Sequence, residues 1–83
     1  MSVSTELNQL SDGDLSAKIE RIIQDCIGDL AEGKDWKVWI YSSSDYCQIV
    51  IKGPTQTRER FFFDDGQTLP EKISEWLTMY PFR

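Results

Sequence analysis

The sequence predicts an α+β domain, a two-layer α/β sandwich with a three-stranded antiparallel meander and two helices on one face. Three observations lead to this prediction. Apolar residues recur at helical spacing from Leu15 to Leu30 and again from Leu69 to Tyr80. The segment between them contains three short runs rich in β-branched and aromatic residues. Each helical stripe is one-sided, so both helices can cover the same apolar face of the sheet in an α-β-β-β-α order.

The chain of 83 residues has the length of one domain, which we assign to residues 11–83. Residues 1–10 are mostly polar and are predicted to form a flexible N-terminal tail. The chain contains no apolar run approaching the roughly 18 residues of a membrane span, and its start lacks the basic and apolar regions of a secretory signal. These features predict a cytoplasmic protein without a membrane partner.

The first helix is predicted to begin at Ser11, a good N-cap residue, with Leu10 and Leu15 at the positions of a hydrophobic staple. Gly33 is a suitable residue to end it. The stripe expected to face the sheet consists of Leu15, Ile19, Ile22, Ile23, Cys26, Ile27 and Leu30.

The second helix is predicted to follow Thr68, which forms a capping box with Glu71. Pro70 falls in the first turn, where its missing N–H does no harm, and Pro81 is expected to end the helix. The predicted strands are Trp36–Tyr41, Tyr46–Lys52 and Thr57–Phe63. Their connections are short, so consecutive strands are expected to pair antiparallel.

Alternation along these strands predicts two different sheet faces. The face expected to pack on the helices contains Trp36, Val38, Ile40, Cys47, Ile49, Ile51, Phe61 and Phe63. The face expected to point away contains Lys37, Trp39, Tyr41, Tyr46, Val50, Lys52, Arg58, Arg60 and Phe62. The second set is too aromatic for an ordinary solvent-facing surface and too charged for a second core.

The chemistry of catalysis is poorly represented in this sequence. The chain has no histidine, its three consecutive serines lie in a turn without an adjacent base, and its glycines form no phosphate-binding motif. We therefore predict that it is not an enzyme and that it binds no cofactor or metal. Cys26 and Cys47 are expected to be buried thiols, and a disulfide between them remains open if the first helix crosses that strand.

The favoured function is protein binding through the aromatic and basic sheet face. Tryptophan, tyrosine and arginine are the residue types most enriched in binding hot spots, and contiguous exposed aromatic patches mark interaction sites. The predicted contact residues are Trp39, Tyr41, Tyr46, Arg58, Arg60 and Phe62. Such a module would act as a stoichiometric inhibitor or adaptor that occludes a partner, which is either another protein or a second copy in a homodimer. Small acidic inhibitors encoded by phages or mobile elements, and immunity proteins that neutralise nucleases, share this size and charge.

Two other uses of the surface remain open. Aromatic residues interleaved with Lys37, Lys52, Arg58 and Arg60 could stack single-stranded nucleic acid, although the net charge of −5 disfavours it. Alternatively, an acidic surface could mimic nucleic acid and bind a basic or nucleic-acid-binding protein. The acidic residues predicted to form that surface are Asp25, Asp29, Glu32 and Asp35.

The predicted α-β-β-β-α order is similar to that of double-stranded RNA-binding domains. Those domains clamp phosphates with a basic cluster at the start of their last helix. The matching stretch here, residues 68–75, carries Glu71 and Glu75 with only Lys72 as a base. The resemblance therefore implies the arrangement of the helices on the sheet and not the binding of double-stranded RNA.

Overall fold

The computed structural model describes residues 2–27, 35–54, 56–63 and 67–79. The elements are β1 (Ser2–Asn8), α1 (Gly13–Ile27), β2 (Asp35–Ser42), β3 (Cys47–Lys52), β4 (Thr57–Phe62) and α2 (Leu69–Met79). The predicted α+β class with two helices is confirmed, and the sheet has four strands in the order β1-β2-β3-β4. Neither described helix is long and apolar enough to cross a membrane.

The extra strand corrects the prediction that residues 1–10 form a flexible tail. Ser2–Asn8 pair in parallel with β2, while β2, β3 and β4 form the predicted antiparallel meander. The sheet is therefore mixed, and the order β-α-β-β-β-α differs from that of double-stranded RNA-binding domains by its first strand. A parallel pair needs a crossover connection, and α1 lies within that connection.

Asn8 makes three hydrogen bonds, two of which fasten the end of β1 to α1. Its Nδ2 donates to Oγ of Ser16 at 2.5 Å and to Oε2 of Glu20 at 2.7 Å. Its Oδ1 accepts the backbone N–H of Leu10 at 3.0 Å. All three bonds are partly shielded from water, so the side chain both closes the turn after β1 and links that turn to the helix.

We expect Asn8→Ala to lower the free energy of unfolding by about 1–3 kcal/mol, because it leaves partly buried groups without their partners. Urea denaturation followed by tryptophan fluorescence measures this change. The matched control is Ser4→Ala, which removes an exposed hydrogen bond to Glu6 on the same strand and should change stability by less than about 0.5 kcal/mol. Equal losses in the two variants would contradict the anchoring role of Asn8.

The core lies between one sheet face and both helices. Trp36 is 4% exposed and Cys47 is buried, which confirms the predicted inward faces of β2 and β3. The buried core consists of Ile19, Ile23, Ile27, Trp36, Val38, Ile40, Cys47, Ile49, Ile51, Phe62, Leu69, Ile73, Trp76 and Leu77. Because both helices contribute to this one cluster, they occupy the same side of the sheet.

The start of α1 differs from the prediction by one residue. Asp12, rather than Ser11, caps the helix: its Oδ1 accepts the backbone N–H groups of Asp14 at 3.0 Å and Leu15 at 3.2 Å. A carboxylate at this place also suits the positive end of the helix dipole. The predicted end at Gly33 lies outside the described residues.

The start of α2 agrees with the predicted boundary. The helix begins at Leu69, and the backbone N–H of Lys72 donates to the carbonyl oxygen of Thr68 at 3.1 Å. Thr68 is therefore the residue immediately before the helix, as the capping box predicts. The predicted stop at Pro81 lies outside the described residues.

Candidate protein-binding face

The register of β4 determines which of its residues share a face with the core. Phe62 lies opposite Cys47, and Arg60 lies opposite Ile49. Residues directly opposite each other in an antiparallel pair project from the same side of the sheet. Because Cys47 and Ile49 are buried against the helices, Phe62, Arg60 and Arg58 all belong to the helix side.

This register overturns the predicted faces of the third strand in the meander. Phe62, predicted to point outward as a contact residue, is 3% exposed, and its ring lies 5.7 Å from that of Trp76 in an edge-to-face arrangement. Phe61 and Phe63, predicted to be core residues, are 45% and 75% exposed. In a run of three phenylalanines, alternation is compatible with either assignment. The packing of the Phe62 ring against Trp76 of α2 places Phe62, rather than Phe61 or Phe63, in the core.

The two arginines are also separated from the aromatic face for which they were predicted. Arg60 is exposed, and its guanidinium carbon lies 5.6 Å from the centre of the Phe62 ring on the helix side. Arg58 is half-buried on the same side. Trp39 and Tyr41 lie on the opposite side of the sheet, so the predicted combination of arginine with these rings does not form.

We use "open face" for the sheet surface turned away from both described helices. Its outward positions in the paired strands are Lys37, Trp39, Tyr41, Gln48, Val50, Lys52, Thr57, Glu59 and Phe61, with Ser4 and Leu7 from β1. Tyr46, whose ring contacts Phe61, and Phe63, whose ring contacts Tyr46, extend this face beyond the paired residues. The apolar members run across all four strands. In the register, Leu7, Trp39 and Val50 form one row, and Tyr41 and Phe61 flank Gln48 in the next.

Leu7 reaches the open face because β1 is irregular. The pairing with β2 shifts between Thr5 and Leu7, so that Thr5 lies opposite Val38 while Leu7 lies opposite Trp39. Without that shift, simple alternation would place Leu7 on the same side of the sheet as Thr5, the side that faces the helices. Sequence reasoning missed Leu7 because nothing in the local pattern indicates the irregularity.

Three aromatic rings meet at one end of the open face. The Tyr46 ring contacts Phe61 edge-on at 5.3 Å and Phe63 at 6.3 Å, measured between ring centres. Tyr46 is held there by the turn before β3, in which its carbonyl oxygen accepts the N–H of Ser43 at 2.8 Å. It is 37% exposed and keeps its predicted outward position. The three rings thus form a pre-organised aromatic cluster open to solvent.

Polar groups border the apolar centre. Lys37 and Lys52 lie opposite each other near one end of the β2–β3 pair. On the β4 side, Glu59 Oε2 accepts a hydrogen bond from Gln48 Nε2 at 3.3 Å. An apolar centre with a polar margin is the usual anatomy of a protein–protein interface.

The two cysteines are free thiols, which answers the open question of a disulfide. Burial raises the pKa of the Cys47 thiol. Burial, followed by the charge of the neighbouring Asp25 carboxylate, raises the pKa of Cys26. Both groups are therefore protonated at neutral pH and are poor nucleophiles. Within residues 2–27, 35–54, 56–63 and 67–79, no group of three or more histidine, cysteine or acidic side chains could hold a metal ion.

The structure describes half of the predicted acidic surface. Asp25 is exposed on α1, and Asp35 is exposed at the start of β2. Asp29 and Glu32 lie outside the described residues.

Comparison with known proteins identifies no relative of this chain: no family model, no curated protein and no solved structure matches it significantly. We therefore infer the function from the geometry of the chain itself.

Proposed function

We propose that this chain is a non-catalytic protein-binding module whose open face docks on a partner protein and occludes it. The observation that carries the proposal is the aromatic and aliphatic surface on the side of the sheet opposite both described helices. Trp39 and Tyr41 lie at its centre and are half-buried, and Phe61 and Phe63 are 45% and 75% exposed. Exposed apolar surface of this kind is costly unless a partner covers it, and it commonly marks an interaction site.

The distribution of charge supports a protein rather than a nucleic acid as the partner. Stacking platforms for single strands combine aromatic rings with cations that track the phosphates. Here Arg58 and Arg60 lie on the helix side, leaving Lys37 and Lys52 as the cations of the open face. The net charge of −5 also repels a polyanion.

The same net charge favours a partner with a basic surface, whose approach would be steered by long-range attraction. Occlusion by a small folded domain is stoichiometric, since one copy covers one site. An inhibitor or adaptor acting in the cytoplasm, of the kind encoded by phages or mobile elements or used as an immunity protein, fits this proposal. A second copy of the chain is the alternative occupant of the open face.

The test is to capture partners from the source cell with the full chain and identify them by mass spectrometry. The affinity of the purified partner is then measured for wild type and Trp39→Ala. A central tryptophan in such a surface should contribute about 2 kcal/mol or more to binding. Gln24→Ala is the control, because Gln24 is an exposed, uncharged residue on α1, on the helix side of the sheet.

The proposal requires that Trp39→Ala weaken the complex while Gln24→Ala does not. Equal affinity of wild type and Trp39→Ala for the captured partner would contradict it. Sedimentation over a range of concentrations tests the alternative occupant: a dimer that Trp39→Ala dissociates would identify the partner as a second copy. Thermal melting of each variant shows that any loss of binding is not a loss of folding.

A further inference from the structure

A groove runs between the edge strand β4 and the helix α2, and the open-face residues Phe61 and Phe63 also border it. It has a volume of about 370 Å³. One wall is residues 60–63, and the other is the helix surface formed by Lys72, Glu75, Trp76 and Met79. The Phe62 and Trp76 rings, which contact each other edge-on, line the groove and are 3% and 7% exposed.

The outer edge of β4 lies along this groove. β4 is the last strand in the sheet order, and within the described residues it pairs with β3. An edge strand presents a row of backbone N–H and C=O groups that can pair with another extended chain. An edge strand beside a helix, with a groove between them, is the geometry in which peptides bind by adding a strand to a sheet.

The charges on the groove walls indicate which peptide would fit. Among the described residues that line the groove, Arg60 from β4 and Lys72 from α2 are cations and Glu75 is the one carboxylate. This small excess of positive charge occurs in a chain whose net charge is −5. At physiological ionic strength, charges separated by more than about 8 Å are largely screened. The two nearby cations, rather than the net charge of the chain, therefore favour an acidic peptide in the groove.

The alternation of β4 adds a positional requirement. Arg58 and Arg60 project to the groove side, while Glu59 and Phe61 project to the open-face side. A strand paired to β4 alternates in the same way, so every second side chain faces the arginines and the others extend the open face beside Phe61. Acidic residues suit the first set of positions and apolar residues suit the second.

We propose that this groove binds an extended segment of a partner protein, in which acidic and apolar residues alternate, as a fifth strand on β4. The proposal is separate from the use of the open face. A second copy of the chain is a poorer occupant in the register centred on Glu59. Antiparallel pairing of two β4 strands about Glu59 sets Arg58 opposite Arg60 and Glu59 opposite itself, and like charges opposite each other are unfavourable.

The test uses the full chain and capped, fluorescently labelled nine-residue peptides at 0.15 M salt. One peptide alternates glutamate with valine, and another alternates lysine with valine. A third has the composition of the first arranged in two blocks, so it cannot present its acids on one side. We expect the alternating acidic peptide to bind roughly tenfold more tightly than either of the others by fluorescence anisotropy. Its amide chemical-shift changes should be centred on β4 and on the groove side of α2.

Charge reversal supplies the decisive variants. Arg60→Glu combined with Lys72→Glu should reverse the preference between the glutamate and lysine peptides. The matched control is Lys37→Glu with Lys52→Glu, which makes the same change of charge on the open face and should preserve the preference.

Three results would overturn the proposal. The first is equal binding of all three peptides, and the second is an equal response of the groove variant and its control. The third is a dimer in sedimentation whose β4 amides are protected from exchange, which would assign the edge to a second copy. None of these bears on the open face, because the Trp39→Ala comparison is measured on the captured partner.

Discussion

Replacing Phe62 by alanine is expected to lower the free energy of unfolding by about 3–5 kcal/mol, whereas Phe61→Ala should lower it by less than about 1 kcal/mol. The two residues are neighbours of the same type and differ in the face they occupy. Phe62 is 3% exposed and packs against Trp76, while Phe61 is 45% exposed on the open face. Truncating Phe62 therefore leaves a cavity between β4 and α2.

Urea denaturation followed by tryptophan fluorescence measures both losses, and Trp76 lies beside the altered site. A domain of 83 residues has a total stability of about 4–12 kcal/mol, so Phe62→Ala removes a large part of it. Phe62→Leu, expected to cost about 1–2 kcal/mol, keeps the comparison measurable if the alanine variant does not fold. A larger loss for Phe61 than for Phe62 would contradict the register of β4 and return Phe62 to the open face.

This pair also shows where alternation predicts a sheet face and where it does not. In β2, Trp36 and Val38 alternate with Lys37, so the contrast between apolar and charged side chains orients the strand. The predicted burial of Trp36 and the outward position of Trp39 are accordingly confirmed. In β4 the apolar residues are consecutive, so alternation does not distinguish the two faces. The aliphatic stems of the arginines are tolerated on either side of an edge strand. Only tertiary packing therefore decides which face each residue of β4 occupies.

β1 could not be predicted for a different reason. Ser2–Asn8 contain Val3 and Leu7 as their large apolar residues, too few to distinguish a strand from a polar tail. What makes them a strand is parallel pairing with β2, a partner 33 residues away in the pair Ser2↔Asp35. Local pattern carries no information on such pairing. The Asn8 contacts with α1 likewise exist only after the helix has returned the chain to the sheet.

The corrected membership of the open face changes the functional argument. Trp39, Tyr41 and Tyr46 keep their predicted outward positions, while Phe62 and the two arginines are replaced by Phe61, Phe63 and Leu7. The surface becomes more apolar and less cationic than the sequence predicts. Both changes favour a protein surface over a nucleic acid, and the arginines instead become part of the β4 edge, where an acidic strand could pair.

Gly53→Ala is expected to destabilise the protein by about 1–3 kcal/mol, because the position has no room for a methyl group. A Cβ atom there would lie 2.6 Å from Cζ3, 2.7 Å from Cη2 and 2.9 Å from Cε3 of Trp36. The indole is 4% exposed within the core and cannot shift without disturbing its neighbours. Gly13→Ala is the matched control: its Cβ would meet nothing within 4 Å at the start of α1. That variant should be neutral or stabilised by up to about 1 kcal/mol.

The comparison by thermal and urea unfolding also tests the separation of the two sheet faces. Trp36 and Trp39 lie on the same strand but on opposite sides of it. Folded Gly53→Ala should therefore lose stability and retain its affinity for the captured partner. Trp39→Ala should retain its stability and lose affinity for that partner. If Gly53→Ala were as stable as wild type, the close packing of Trp36 against the turn after β3 would be wrong. A joint loss of stability and affinity in the folded variant would mean that the core and the open face are coupled through β2.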